Sequence, residues 1–229
     1  MEHFSWFTFL NLIEYDHVLG AILVVILLSI IGVRIKKNYS KESSVIPDEK
    51  PTFGNVFEIL GLEFLFNLFE NMLGSKERAR KFFPLLAGSF FFILFCNMLG
   101  IIPGFLPPTG NYNTTLACAT VIFIMYNYYG FKEHGISYLK HFAGPVLFLA
   151  PLMIVIELIS HIVRPVSLSL RLAMNITGDH IVLGVFTGLT HFLIPAIFIA
   201  LGIFVSLLQA FIFTVLSAIY IALAEAHEH

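Results

Sequence analysis

Charged residues are scarce in this chain of 229 residues: Asp, Glu, Lys and Arg make up 12% of it, against 58% hydrophobic residues. Soluble domains carry about a quarter charged residues, because their surface faces water. A chain with so little charge cannot cover a water-facing surface, so we expect it to be solvated largely by lipid. The net charge of −2 gives no indication of a nucleic-acid partner.

Two further shortages exclude other classes of protein. The two cysteines, Cys96 and Cys118, lie in apolar runs, and their spacing fits neither a metal site nor a disulfide framework. We interpret them as small apolar packing residues, and no metal or cofactor is predicted.

Basic residues are missing before the first apolar run, where Glu14 and Asp16 stand instead. A cleavable signal peptide begins with basic residues, so we expect the first apolar segment to be retained.

Long apolar segments predict an all-α polytopic membrane protein with about five transmembrane helices, in a single membrane domain that covers residues 1–229. A membrane-spanning helix needs about 20 residues. The predicted spans are 17–35, 82–102 and 114–130, followed by two longer helices at 143–189 and 195–225. Residues 53–73 repeat large apolar side chains at helical spacing between Glu and Asn residues, which predicts an amphipathic helix at the membrane interface.

The basic residues indicate the orientation of these spans. Eleven of the thirteen Lys and Arg residues fall on one side of the predicted arrangement, and the two exceptions are Arg164 and Arg171. Because Lys and Arg are enriched in cytoplasmic segments, we expect the N-terminus outside and the C-terminus in the cytoplasm.

The segment 142–189 is almost continuously apolar and too long for one ordinary span. As one helix it would measure about 70 Å, over twice the roughly 30 Å of the hydrocarbon core. Either it breaks, with Pro165 as the candidate position, or it is steeply tilted. It also contains six ionisable residues: Glu157, His161, Arg164, Arg171, Asp179 and His180.

Ionisable residues inside a membrane helix predict a functional site, because each costs about 2.5–3.5 kcal/mol on insertion. Glu157, Arg164 and Arg171 are spaced seven residues apart, which brings them to nearly the same helix face. The residues close to this stripe are small or polar: Ser160, Ser167, Asn175 and Gly178. His180 lies roughly opposite Arg171, with His161 and Asp179 to one side, and two polar faces suit two separate aqueous approaches.

Arginine keeps its charge in a poor dielectric, so Arg171 cannot relay a proton, but it can hold a partner's carboxylate in the ionised state. Histidine and a buried carboxylate can exchange protons near neutral pH. A fixed cation flanked by such groups is typical of a gate between two proton paths.

Three motifs carry a resemblance to a known family. Residues 164–180, RPVSLSLRLAMNITGDH, resemble the signature of subunit a of the F-type ATP synthases. Residues 208–221, LQAFIFTVLSAIYI, resemble the last helix of that family, and residues 97–104, NMLGIIPG, its second crossing. With the order of the spans, the resemblance covers essentially the whole chain.

The resemblance implies a proton-translocating stator subunit that is not an enzyme by itself. It implies that the last two helices form a long tilted hairpin against a ring of c subunits, in which Arg171 meets the ring carboxylate and blocks a direct leak. By match, Asn175 and Gln209 belong to an outer half-channel, and Glu157 and Ser160 to an inner exit. The other implied partners are b-type peripheral stalk subunits, further ATP synthase subunits and the lipid of a bacterial plasma (inner) membrane.

The chain departs from the family pattern at the inlet. Some members carry a Glu nine residues after the arginine, where this chain has His180, preceded by Asp179. Members with a His there usually have a carboxylate on the last helix, at a position that we match to Gly202. We expect Asp179 to supply that acid and to form a proton relay with His180. The alternative is that Asp179 and His180 satisfy each other as a pair that faces the helix hairpin, without relaying protons.

Structural interpretations remain beside the functional ones for several residues. Arg164 either reaches the membrane surface or pairs with Glu157, and Ser167 serves either helix packing or contact with the rotor. His161 and His191 are interpreted as interfacial or polar-packing residues.

Two other functions fit the sequence less well. An intramembrane aspartyl protease would use paired aspartates, for which Asp16 and Asp179 are the candidates, but Ile176 stands where its motif requires glycine. A secondary transporter usually shows an internal repeat, and none is evident.

Overall fold

The computed structural model describes residues 15–39, 59–102, 104–135, 150–189 and 193–225, and its regular elements in these ranges are all helical. The α-helices, in chain order, are α1 (Asp16–Tyr39), α2 (Phe66–Leu73), α3 (Lys76–Leu99), α4 (Tyr112–His134), α5 (Ala150–Leu189) and α6 (Leu193–Glu225). A π-helix, Ile59–Leu65, leads directly into α2. The prediction of an all-α chain is confirmed.

Four described helices are long and apolar enough to cross a membrane: Asp16–Lys37, Lys76–Leu99, Pro151–Gly188 and Pro195–Glu225. The chain is therefore polytopic, as predicted. The segment expected as a further span, 114–130, forms a helix, but α4 is not among the four by composition. Asn127, Lys132 and Glu133 dilute its apolar content. A fifth crossing by α4 therefore stays a prediction.

Helix α3 begins at Lys76, within the basic cluster that precedes the predicted span at 82–102. Lys, Arg, Glu and Ala favour helix, and long basic side chains can lie along an apolar helix while their charges reach water. Helix α2 ends at Gly74, whose φ of 66° is left-handed and whose N–H donates to Glu70 O at 3.0 Å. Residues 53–58 of the predicted amphipathic segment lie outside the described residues.

Helix α5 runs without interruption through Pro165, so a helix break at this proline, one of the two alternatives left by the sequence, is wrong. Proline removes one backbone hydrogen bond from a helix interior, but the remaining ladder and the packing of neighbouring helices can compensate for it. At 40 residues α5 is about 60 Å long, and α6, with 33 residues, about 50 Å. Residues 143–149 and His191 lie outside the described residues.

The helices divide into two compact units, Met1–Pro108 and Thr109–His229. In the first unit, Val24 of α1 packs against Cys96 and Leu99 of α3. The ring of Phe83 in α3 lies 5.6 Å from that of Phe66 in α2. Cys96 is fully buried here, consistent with a small apolar packing residue.

In the second unit, α4, α5 and α6 pack against one another in pairs. Each helix contributes one buried apolar face, with Ile122, Leu172 and Phe213 among its members. Near the link between α5 and α6, the rings of Phe186 and Phe198 stack with their centroids 4.5 Å apart. This packing brings polar residues from three separate segments of the chain within hydrogen-bonding distance.

A substitution at Gly20 tests the packing of α1. A Cβ at this position would lie 2.8 Å from Cγ of Pro108 and 3.6 Å from Cδ2 of Leu99. We expect Gly20→Val to destabilise the subunit by about 1–3 kcal/mol through overpacking, measured by unfolding in detergent. Gly32→Val is the matched control on the same helix, because nothing lies within 4 Å of a Cβ at Gly32. Equal stability of the two variants would contradict this packing.

Candidate functional site

Helix α5 divides into an inward face and an outward face. Leu168, Leu172 and Ile176 are buried in the bundle, whereas Ser167 and Arg171 are exposed. Ser160 is exposed as well. Within the described part of the chain, no hydrogen bond or ion pair joins Arg171 to another residue. Arg171 therefore presents its charge on the outward face of α5.

One turn further along α5, Asn175 is joined to α6. Its Nδ2 donates to Oε1 of Gln209 at 2.9 Å. Gln209 is only 2% exposed, and its own Nε2 has no hydrogen-bond partner among the described residues. A buried donor without an acceptor costs about 1–3 kcal/mol, a cost that a water molecule or a group from a neighbouring subunit would offset.

A cavity of about 470 Å³ opens beside this hydrogen bond, between α5 and α6. Its lining consists of Met174, Asn175, Gly178, Asp179, Val205, Leu208, Gln209 and Ile212. The structure therefore brings together three of the residues singled out from the sequence: Asn175, Asp179 and Gln209. Arg171 and His180 do not line the cavity.

Gly178 leaves room on its side of this cavity, because a Cβ there would meet no atom within 4 Å. A Cβ at Gly202 of α6, which is not among the lining residues, would also meet none. Gly202 lies seven residues before Gln209 and so on nearly the same face of α6. Asp179 is the one carboxylate among the residues that line the cavity. That it supplies the acid where α6 has glycine stays a prediction.

Toward the other end of α5, Glu157 and Arg164 form an ion pair. Nη2 of Arg164 donates to Oε1 of Glu157 at 3.3 Å. The Arg164 guanidinium also lies over the ring of Tyr220 in α6, 5.5 Å from its centroid. Of the two alternatives for Arg164, pairing with Glu157 is the one that the structure contains.

His161 is buried and makes a hydrogen bond that the sequence analysis did not predict. Its side chain is 7% exposed, and its Nε2 lies 2.9 Å from Oδ1 of Asn127 in α4. The interpretation as an interfacial or polar-packing residue did not foresee this contact. The available signal was the spacing of Glu157, His161 and Arg164, which are four and three residues apart on α5. Its partner could not be found from that spacing, because Asn127 is 34 residues away in sequence.

These features give α5 two polar sites with a fixed cation between them. At 1.5 Å per residue, Arg171 lies about 12 Å along the helix from Asp179 and about 21 Å from Glu157. The two sites are thus about 33 Å apart along the axis, close to the roughly 30 Å of a hydrocarbon core. Groups on both sides can exchange protons, whereas the arginine between them cannot.

Known proteins resemble this chain along nearly its whole length. The family model described as ATP synthase A chain matches residues 18–222. A protein named ATP synthase subunit a from Bdellovibrio bacteriovorus is 46% identical over 218 residues, covering 94% of this chain and 94% of that protein. Proteins of the same name from Sulfurihydrogenibium sp. and Sorangium cellulosum are 44% identical over 215 residues and 42% identical over 205 residues. These alignments cover 93% and 89% of this chain, and 99% and 80% of the two relatives.

The hydrogen bond between Asn175 and Gln209 predicts energetic coupling between α5 and α6. In a double-mutant cycle of Asn175→Ala and Gln209→Ala, we expect a coupling energy of about 0.6 kcal/mol, the average for such bonds between membrane helices. Unfolding of the four proteins in detergent would measure it.

The control cycle pairs Asn175→Ala with Thr214→Ala, whose hydroxyl bonds within α6 to Ala210 O at 2.8 Å. That pair should be additive. Strict additivity of the Asn175 and Gln209 substitutions would show that their contact contributes nothing to stability.

Proposed function

This chain belongs to the ATP synthase A chain family, and we propose that Arg171 is the fixed charge that separates its two proton paths. The chain is a proton-translocating stator subunit of the membrane sector of an F-type ATP synthase. It is a non-catalytic, multi-pass bacterial membrane protein. The observation that carries the proposal is the exposed position of Arg171 between the Asp179 cavity and the Glu157 ion pair.

Arg171 would act on a carboxylate of the partner ring that moves past the outward face of α5. A guanidinium attracts a carboxylate and favours its ionised form. When the carboxylate receives a proton, this attraction is lost and the neutral group can enter lipid. Because arginine does not release its own proton, it cannot pass one directly from one path to the other.

The outer path is proposed to run through the cavity between α5 and α6. Asp179 supplies its carboxylate, and Asn175 and Gln209 supply amides that can bind water. His180 follows Asp179 on α5 and is proposed to exchange protons with it, although His180 does not itself line the cavity. The room beside Gly178 supports this path, because a side chain at this lining position would reduce the space for water.

The inner path is proposed to begin near Glu157 and Ser160. Glu157 is partly exposed and is held by Arg164, which keeps its carboxylate in a defined position. The hydroxyl of Ser160 can both donate and accept a hydrogen bond on the outward face. A proton leaving the ring carboxylate would pass these groups to the cytoplasm.

The proposed partners rest on membership of the family and on the outward face of α5. A ring of c subunits would cover the outward face of α5, where the small side chain of Ser167 allows close approach. At about 60 Å and 50 Å, α5 and α6 exceed the roughly 30 Å hydrocarbon core, which supports a steeply tilted hairpin.

We also propose b-type stalk subunits as partners and the plasma (inner) membrane as the location. The proposed orientation has the N-terminus outside and the C-terminus in the cytoplasm. Residues 59–73 are proposed to lie at the interface.

Arg171→Ala is expected to abolish proton-driven ATP synthesis in membrane vesicles, because nothing would hold the ring carboxylate or block the leak. Hydrolysis of ATP by the detached catalytic head should be unchanged. Arg80→Ala, which removes an exposed arginine from α3, is the control and should synthesise ATP normally. Normal synthesis by Arg171→Ala would refute the proposal.

Asp179→Asn is expected to slow proton conduction, because the amide has nearly the same shape but cannot take up and release a proton. Conduction should be measured in vesicles from which the catalytic head has been removed. Glu77→Gln, a similar loss of a carboxylate on the exposed side of α3, is the matched control. An unchanged rate in Asp179→Asn would remove this residue from the path.

A further inference from the structure

A cluster of polar residues around His161 lies beside the ion pair of Glu157 and Arg164. The His161 cluster consists of His161 on α5 with Tyr126 and Asn127 on α4. The Tyr126 hydroxyl lies 3.4 Å from Nε2 and 3.5 Å from Nδ1 of the imidazole. Neither the family motifs nor the proposed paths assign these three residues a role.

The hydrogen bonds of Asn127 determine which nitrogen of His161 carries a proton. Nδ2 of Asn127 donates to the carbonyl of Phe123 at 2.8 Å, which orients the amide. Its Oδ1, which can only accept, therefore faces Nε2 of His161 at 2.9 Å. Nε2 must carry a hydrogen in both the neutral and the charged imidazole. Nδ1 is consequently the atom at which His161 gains or loses a proton.

The surroundings of His161 include titratable groups from three helices. On α5, Glu157 precedes it by four residues and Arg164 follows it by three, so opposite charges flank it. On α4, Tyr126 is 2% exposed and its ring centroid lies 5.3 Å from that of the imidazole. On α6, Tyr220 lies 6.2 Å from Tyr126, ring to ring, and beneath the Arg164 guanidinium. The imidazole thus sits among hydroxyl and charged groups rather than in a purely apolar core.

Pro165 changes the hydrogen bonding at the same level of α5. A helical residue four positions after His161 would normally donate its N–H to the His161 carbonyl. Proline has no N–H, so the carbonyl oxygen of His161 cannot accept that bond. The backbone hydrogen bonding of α5 is therefore altered at the level of the His161 cluster.

We propose that His161 is a further proton-exchanging residue of the inner path, next to Glu157. This inference rests on the proposed function. The neutral imidazole takes a proton at Nδ1 from the Glu157 carboxylic acid, which returns to a carboxylate held by Arg164. The imidazolium then releases the same Nδ1 proton to water on the inner side. Asn127 holds the Nε2–H throughout, so the ring keeps its orientation and the proton count balances.

His161→Gln separates this role from simple packing. Glutamine keeps an N–H₂ group that can donate to Oδ1 of Asn127, but it cannot titrate. The test is passive proton conduction by the assembled membrane sector, without the catalytic head, at different pH values on the inner side. We expect conduction to fall by about a hundredfold, the lower end of the range for loss of a proton-transfer group, and to lose the part of its pH dependence that the imidazole contributes. Wild-type conduction with a wild-type pH profile would overturn the inference.

Asn127→Asp provides a second variant in case His161→Gln fails to assemble. A carboxylate at this position would still accept from Nε2, and its negative charge would favour the imidazolium. We expect the pH midpoint of conduction to move upward. A midpoint equal to that of the wild type would refute proton exchange by His161, because a purely structural histidine would not respond.

Three further variants complete the design. His17→Gln on α1 makes the same chemical change at a residue that the proposed paths do not include, and it should conduct normally. Glu157→Gln and Arg171→Ala test the proposed function itself. If these two impair the complex and His161→Gln does not, only the inference about His161 fails. If neither of them has an effect, the proposed function fails.

Discussion

Arg171 carries a permanent positive charge on the outward face of α5, a helix whose other outward residues are mostly apolar. No hydrogen bond or ion pair within the described residues satisfies it. Such a charge is expensive in a membrane unless a partner or water neutralises it. The proposed function assigns this role to a carboxylate of another subunit. Under that proposal, the role of Arg171 depends on a group that the isolated subunit does not contain.

Other polar side chains of the second unit differ from Arg171, because they are paired with a residue on the same helix or on a neighbouring helix. Asn175 binds Gln209 across α5 and α6, and His161 binds Asn127 across α4 and α5. Glu157 is held within α5 by Arg164. These bonds place ionisable and polar groups on both sides of Arg171 while the apolar faces of the helices supply the packing. In the proposed function, this pairing defines where the two proton paths run, and the exposed cation keeps the paths apart.

Much of the fold could be predicted from local patterns. Apolar length identified the four described helices that can cross a membrane, along with 114–130, whose crossing stays a prediction. The seven-residue spacing of Glu157, Arg164 and Arg171 indicated that they share one helix face. The start of α3 and the continuity of α5 could not be read in the same way. Basic residues are compatible with both loop and helix, and the effect of Pro165 depends on whether neighbouring helices hold the two halves in line.

The class of the protein, the order of its helices and the identity of its central charge follow from the sequence alone. Composition limits the solvent that a chain can tolerate, and the motif around Arg171 is contiguous. Which polar groups meet, in contrast, depends on tertiary packing. Asn127 and His161 are 34 residues apart in sequence, as are Asn175 and Gln209, and each pair depends on how two helices are rotated against each other. That rotation is set by the packing of many apolar side chains at once, which no local pattern encodes.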